Sequence, residues 1–198
     1  MTLNTLRDYF PDATEDTWHQ HSNGGGWVQN TARVDDTSFV GPDALVYDNA
    51  VISGYVRVSD DALVLDNAEV SGYVRVLGNA CVSGDARIWD GARVSGDAKV
   101  YGNARVSGDA QVFGSALVYG NARVSGNAQV FGYASVLEFA VVSGIASVYG
   151  DALVSGNATV YGNARVSGNA DVSGYARVAG NADVSGDDVV SDNIRVLW

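Results

Sequence analysis

The residues able to do chemistry in this chain are few, and most lie in its first thirty positions. His19 and His21, in the run Trp18-His19-Gln20-His21-Ser22-Asn23, alternate along an extended segment, so their rings could point the same way and share a metal ion. No third ligand accompanies them, and the expectation is that they pack within an N-terminal cap. The single cysteine, Cys81, excludes a disulfide framework and a cysteine-based zinc site. No histidine stands near it in sequence to activate it as a nucleophile. Gly24-Gly25-Gly26 is not a phosphate loop, because no Lys-Ser/Thr follows it. The serines recur too regularly to single out a nucleophile. The reading is therefore of a non-enzyme with no catalytic residue, no metal and no cofactor.

The elements that carry the other functional groups come from a repeat, and its period is six. Val or Ile occupies every sixth position from Val34 to Val196, 28 sites in 28. The commonest unit is V-x-G-[N/D]-A-x, as in Val94-Ser95-Gly96-Asp97-Ala98-Lys99 and Val124-Ser125-Gly126-Asn127-Ala128-Gln129. Ala and the next Val are two residues apart, which places both on the inner face of a strand with one outward residue between them. The Gly and Asn/Asp positions tolerate positive φ or bond their own backbone, so each hexad reads as a short strand plus a corner. Three corners per circuit give an 18-residue coil, and the hexads make about nine coils. No single coil could bury enough surface to stand alone, so stability must come from stacked neighbours and the ends need covers.

This pattern resembles the hexapeptide-repeat, left-handed parallel β-helix family, over residues 32 to 196. The resemblance implies an all-β, left-handed parallel β-helix solenoid with three strands per 18-residue coil. The near-perfect repeats and the glycine-rich, tryptophan-containing leader are similar to those of an uncharacterised, non-enzymatic branch from bacteria and their phages. Hexapeptide acyltransferases use a catalytic histidine, and carbonic-anhydrase-like relatives use three histidines for a metal. None occurs in these 28 hexads. An acyltransferase-like enzyme with His19 or His21 near a subunit junction remains an alternative.

With 12 basic against 23 acidic residues and a net charge of -11, the chain lacks the basic surface of a general nucleic-acid binder. An acidic rod that mimics nucleic acid to inhibit a host enzyme is a further alternative. No run approaches the apolar length that spans a bilayer, so no membrane association is expected. The start, Met1-Thr2-Leu3-Asn4, lacks the basic stretch and apolar core of a secretory signal, so a cytoplasmic location, or the host cytoplasm for a phage protein, is expected.

Residues 1–30 do not follow the repeat and read as the cap, with short helices at Leu3 to Phe10 and Ala13 to Trp18, the second N-capped by Asp12, and a Gly-rich linker. Residues 31–198 form the β-helix, closed by a C-terminal plug of Ile194 and Trp198.

Residues 18 apart stack, so the outward positions sort into three faces. One carries Arg87, Arg105 and Arg123, an anion-binding strip in which like charges repel unless corner carboxylates or bound anions lie between them. Another carries Leu45, Leu63, Cys81, Leu117 and Leu153, interrupted by Lys99 and Ser135. Its leucines are the expected oligomer interface of a homotrimer. In one coil Tyr133, Phe139 and Ile145 replace Asn or Asp at all three corners. With Phe131, Leu137 and Val141 beside them, they form the expected partner-binding belt. The function expected is a rigid, non-catalytic rod that presents its walls to a protein partner.

Overall fold

The structure, a computed structural model, describes residues 1–197. Its architecture follows from the two-residue alternation within each hexad. In Ala98-Lys99-Val100 the Ala and Val side chains are fully buried and the Lys points out, and the same holds for Ala104-Arg105-Val106. Strands two residues long, such as Arg105–Val106 and Arg123–Val124, lie parallel and in register one coil apart. The backbone N–H of Arg105 donates to the carbonyl of Ala122 at 2.9 Å, and that of Ser107 to Val124 at 3.0 Å. The valines and alanines of successive coils form one continuous apolar core along the axis.

Three sheets of eleven, nine and ten strands make the walls. The fold is thus an all-β parallel solenoid of about ten turns, three strands to a coil.

The first turn starts earlier than the expected boundary at residue 31. β2 (Trp27–Gln29) pairs in parallel with Leu45–Val46, with Trp27 opposite Leu45 and Val28 opposite Val46. Val28 and Ala32 already obey the Val-to-Ala spacing, so the repeat rule itself reaches into the segment taken for a cap.

The cap holds one short helix, α1 (Leu3–Arg7), whose N-cap Thr2 accepts a hydrogen bond from the Thr5 N–H. The second expected helix does not form. Thr17 Oγ1 takes the N–H of Thr14 at 3.0 Å and closes a turn. The chain then enters β1 (Trp18–Gln20), which pairs antiparallel with β2. Between them Gly24 and Gly25 adopt positive φ, 116° and 77°, and Gly26 packs its Cα against the Gly41 carbonyl where a side chain would not fit.

The cap buries Leu6, Ala13, Trp18, Trp27 and Leu45 as a second core, with Phe10 and Tyr47 beside them. The Phe10 ring lies 4.8 Å from Trp18 and 5.1 Å from Tyr47.

At the other end Ile194 occupies an inward position but is 50% exposed. The other half of the expected plug, Trp198, lies outside the described residues.

Candidate functional site

The corners decide what the outer walls can do. At the third position of the hexad the backbone takes a positive φ, as at Gly126 (71°), where an added Cβ would press on the Gly144 backbone of the next coil. Where Gly is absent from this position and φ stays positive, the residue is acidic: Asp48, Asp60, Asp66, Asp90, Glu138 and Asp192, with φ between 58° and 65°.

Contrary to the expectation from the charge pattern, none of these six carboxylates pairs with an arginine among the described residues. Four of them turn along the axis and accept backbone N–H groups one coil on: Asp60 from Gly78 at 2.9 Å, Asp66 from Gly84 at 2.8 Å, Asp90 from Gly108 at 3.1 Å and Glu138 from Gly156 at 2.7 Å. Asn and Asp at the fourth position form a second ladder, with the Asn79 amide donating to Asp97 at 2.8 Å and Asn169 to Asp187 at 2.9 Å. Asp60, Asp66, Asp90 and Glu138 are thus engaged with the backbone, and Asp97 and Asp187 with the amides.

The arginine strip is left with little counter-charge. Arg87, Arg105 and Arg123 are exposed and in register on adjacent strands. Arg87 pairs with Glu69 at 3.3 Å, an exposed contact worth at most about 1 kcal/mol. Among the described residues Arg105 and Arg123 make no ion pair. Strands in a sheet are ~4.8 Å apart, a spacing at which two like charges repel by about 1 kcal/mol even in bulk water.

The structure draws two separately expected features into one place. A groove of about 360 Å³ is lined by Asn103, Arg105, Asn121, Arg123, Phe139 and Val141, so half of the belt coil's corner stands against two members of the arginine strip. Arg87 opens on a neighbouring groove of about 300 Å³ with Glu69, Ser71, Ile88, Trp89 and Arg105.

The belt itself is exposed, with Tyr133 70%, Phe139 59% and Ile145 56% accessible. Its three members sit at different corners of a three-sided rod and so point in three directions; they do not form one patch. Leu137 and Phe139 share a corner, Val141 begins the adjoining strand, and Ile145 borders a groove with Ser147 and Arg165. Phe131 is not free on either face: its ring is stacked between Phe113 at 4.8 Å and Tyr149 at 4.9 Å. The Tyr101 and Tyr119 rings stack in the same way at 4.8 Å.

The leucine row is also divided. Leu45 is 6% exposed because the cap covers it, and Leu63 packs partly against the same cluster. Leu117 and Leu153 remain half-exposed on that wall, with Ser135 in register between them. The cap could not have been placed on this wall from strand periodicity, which carries no information about what lies over an outward leucine.

The two histidines are engaged separately. The His19 ring is exposed and its Nδ1 lies 2.6 Å from Asn30 Oδ1. His21 is buried, with Nδ1 3.2 Å from the Asn23 carbonyl and no partner for Nε2. Among the described residues no group of three or more His, Cys, Asp or Glu is placed to hold a metal ion. Cys81 lies half-buried in the wall, and burial pushes its thiol up from the ordinary range. No helix among them is long and apolar enough to cross a membrane.

Fold and surface together define a repeat-built β-solenoid with an apolar core and with charged and aromatic side chains on its outer walls. A family model described as the YdcK beta solenoid repeat matches residues 92–108, 98–114, 116–132, 146–162, 154–168 and 158–174, and over those segments the chain is similar to that family. No curated protein matches the chain.

Proposed function

We propose that this chain is a bacterial or phage-encoded, non-catalytic structural module that binds a protein partner through its outer walls. The observation that carries the reading is the single coil in which Tyr133, Phe139 and Ile145 stand exposed where other coils place mostly Asn, Asp or other polar corner residues. Exposed aromatic and aliphatic groups lower solubility, and a contact that covers them offsets that cost. The tube supports the same reading, because its interior is lined by buried valine, alanine and isoleucine side chains, which leaves the polar and aromatic groups on the outside. The half-exposed Leu117 and Leu153 are the part of the leucine row through which a homotrimer would form.

The test is an affinity capture with the purified chain and with a triple variant, Tyr133→Asn, Phe139→Asn and Ile145→Asn. Circular dichroism would show that both keep the β-solenoid. A protein retained by the first and lost from the second supports the reading; equal recovery removes the belt from it.

A further inference from the structure

We propose that the groove between Arg105, Arg123 and Phe139 is a binding site for a phosphate monoester carrying a flat apolar group. The inference does not depend on a protein partner and concerns a ligand small enough for about 360 Å³.

Four observations converge. Arg105 and Arg123 stand in register on adjacent strands with no acidic partner among the described residues, unlike Arg87, which Glu69 engages. Their guanidinium groups bring two positive charges and a dense set of N–H donors to one point, which a dianion neutralises and a lone carboxylate does not.

The flanking amides add donors. In the same corner column Asn49 donates to Asn67 and Asn67 to Asp85, yet among the described residues the Asn103 and Asn121 side chains make no hydrogen bond. Two guanidinium forks and two free amides outnumber the lone pairs that a two-oxygen carboxylate presents, whereas three terminal phosphate oxygens accept them. Finally, Phe139 and Val141 close one end of the groove with apolar surface beside the cationic end. A ring attached to the phosphate would lie against Phe139, with the aromatic pair geometry that such rings favour.

The arginines of the next wall supply an internal control. Arg75 and Arg93 are likewise exposed and in register on adjacent strands. A third arrangement, Arg177 and Arg195 with Tyr175, Asn157 and Asn193, repeats the residue types around a smaller groove of about 160 Å³.

The experiment is a titration of the intact chain, labelled with 15N at arginine, with phenyl phosphate, inorganic phosphate and phenol, the guanidinium resonances being followed one by one. The expected result is that phenyl phosphate shifts Arg105 and Arg123 at concentrations that leave Arg75 and Arg93 unmoved. Phosphate alone should bind the same pair more weakly, and phenol should not bind. Arg105→Gln with Arg123→Gln should weaken phenyl phosphate by about tenfold or more, the loss of charge-assisted donors. Phe139→Ala should reduce phenyl phosphate to the affinity of phosphate. All three side chains are exposed, so these variants should keep the fold. Equal shifts at all four arginines would show screening of a charged wall and overturn the proposal, as would binding that survives the double variant. A failed protein capture would leave this titration unaffected, so the two readings can fall separately.

Discussion

The Glu138 carboxylate accepts the backbone N–H of Gly156 at 2.7 Å from a residue whose own φ is 60°. Glutamate thereby holds a left-handed corner that the neighbouring coils assign to glycine, and offsets the strain with a bond to the coil above. Glu138→Ala keeps the strained backbone and loses the bond, so chemical unfolding should show a loss of about 1–3 kcal/mol. Glu138→Gly loses the same bond but relieves about 1–2 kcal/mol of left-handed strain, and should come out near neutral. Amide exchange at Gly156 should quicken in both; equal stability of the Ala and Gly variants would contradict the account.

Tyr47 reports on the cap. Its burial beneath the cap, then the nearby Cys81, Asp48 and Asp66, push the phenol up to about 12. The folded chain therefore holds this proton more tightly than the unfolded one, whose tyrosine titrates near 10. The sign follows: this contribution to stability is complete below pH ~10 and is lost as pH rises through about 12. The tyrosinate difference spectrum between the protein and Tyr47→Phe should show one phenol titrating well above the ordinary value of about 10 for a free tyrosine. Titration of that phenol near the free value would mean that the cap does not cover it.

Leu6 is fully buried at the centre of the cap cluster. Leu6→Ala should cost about 2–5 kcal/mol, and because solenoid coils depend on near neighbours the loss should fall on the cap and first turn. Trp18 and Trp27 fluorescence should then change at a lower temperature than the far-ultraviolet β signal. A single shared transition would place the cap and rod in one cooperative unit.

The leucine row is tested by mass. In the proposed trimer, Leu117→Asp with Leu153→Asp should bring the particle down to the 20.7 kDa of one chain in light scattering, with the spectrum unchanged. Leu45→Asp should instead disturb the cap, since that side chain is covered by it. A single-chain mass for the unaltered protein would dismiss the row as an interface.

How much of this was legible beforehand differs between walls, corners and cap. The Val cadence carries the coil because a six-residue period can satisfy an inward Val and an inward Ala only if the chain turns between them, and Val100 and Ala98 lie where that logic puts them. Stacked rings at Phe113, Phe131 and Tyr149 follow from the same eighteen-residue sum. The aim of the corner carboxylates does not. Whether Asp60 reaches an arginine or the Gly78 backbone depends on its positive φ, which swings the side chain along the axis. Burial of Leu45 was hidden for another reason: its cover comes from Leu6 and Trp18, remote in sequence and outside the repeat. The groove joining Arg123 to Phe139 was visible only as two unrelated oddities until the coils were stacked.

In-register stacking also makes the rod a rotary device for its own sequence. Excising eighteen residues would shorten it by one step of ~4.8 Å and leave every downstream side chain on its original wall. Excising six would rotate everything downstream by a third of a circuit, carrying arginines such as Arg177 onto a different wall while the buried valines still met valines. Such indels would rewire what the exterior displays with almost no penalty inside, so lineages of this architecture can reshuffle their outward faces by slippage as readily as by point substitution.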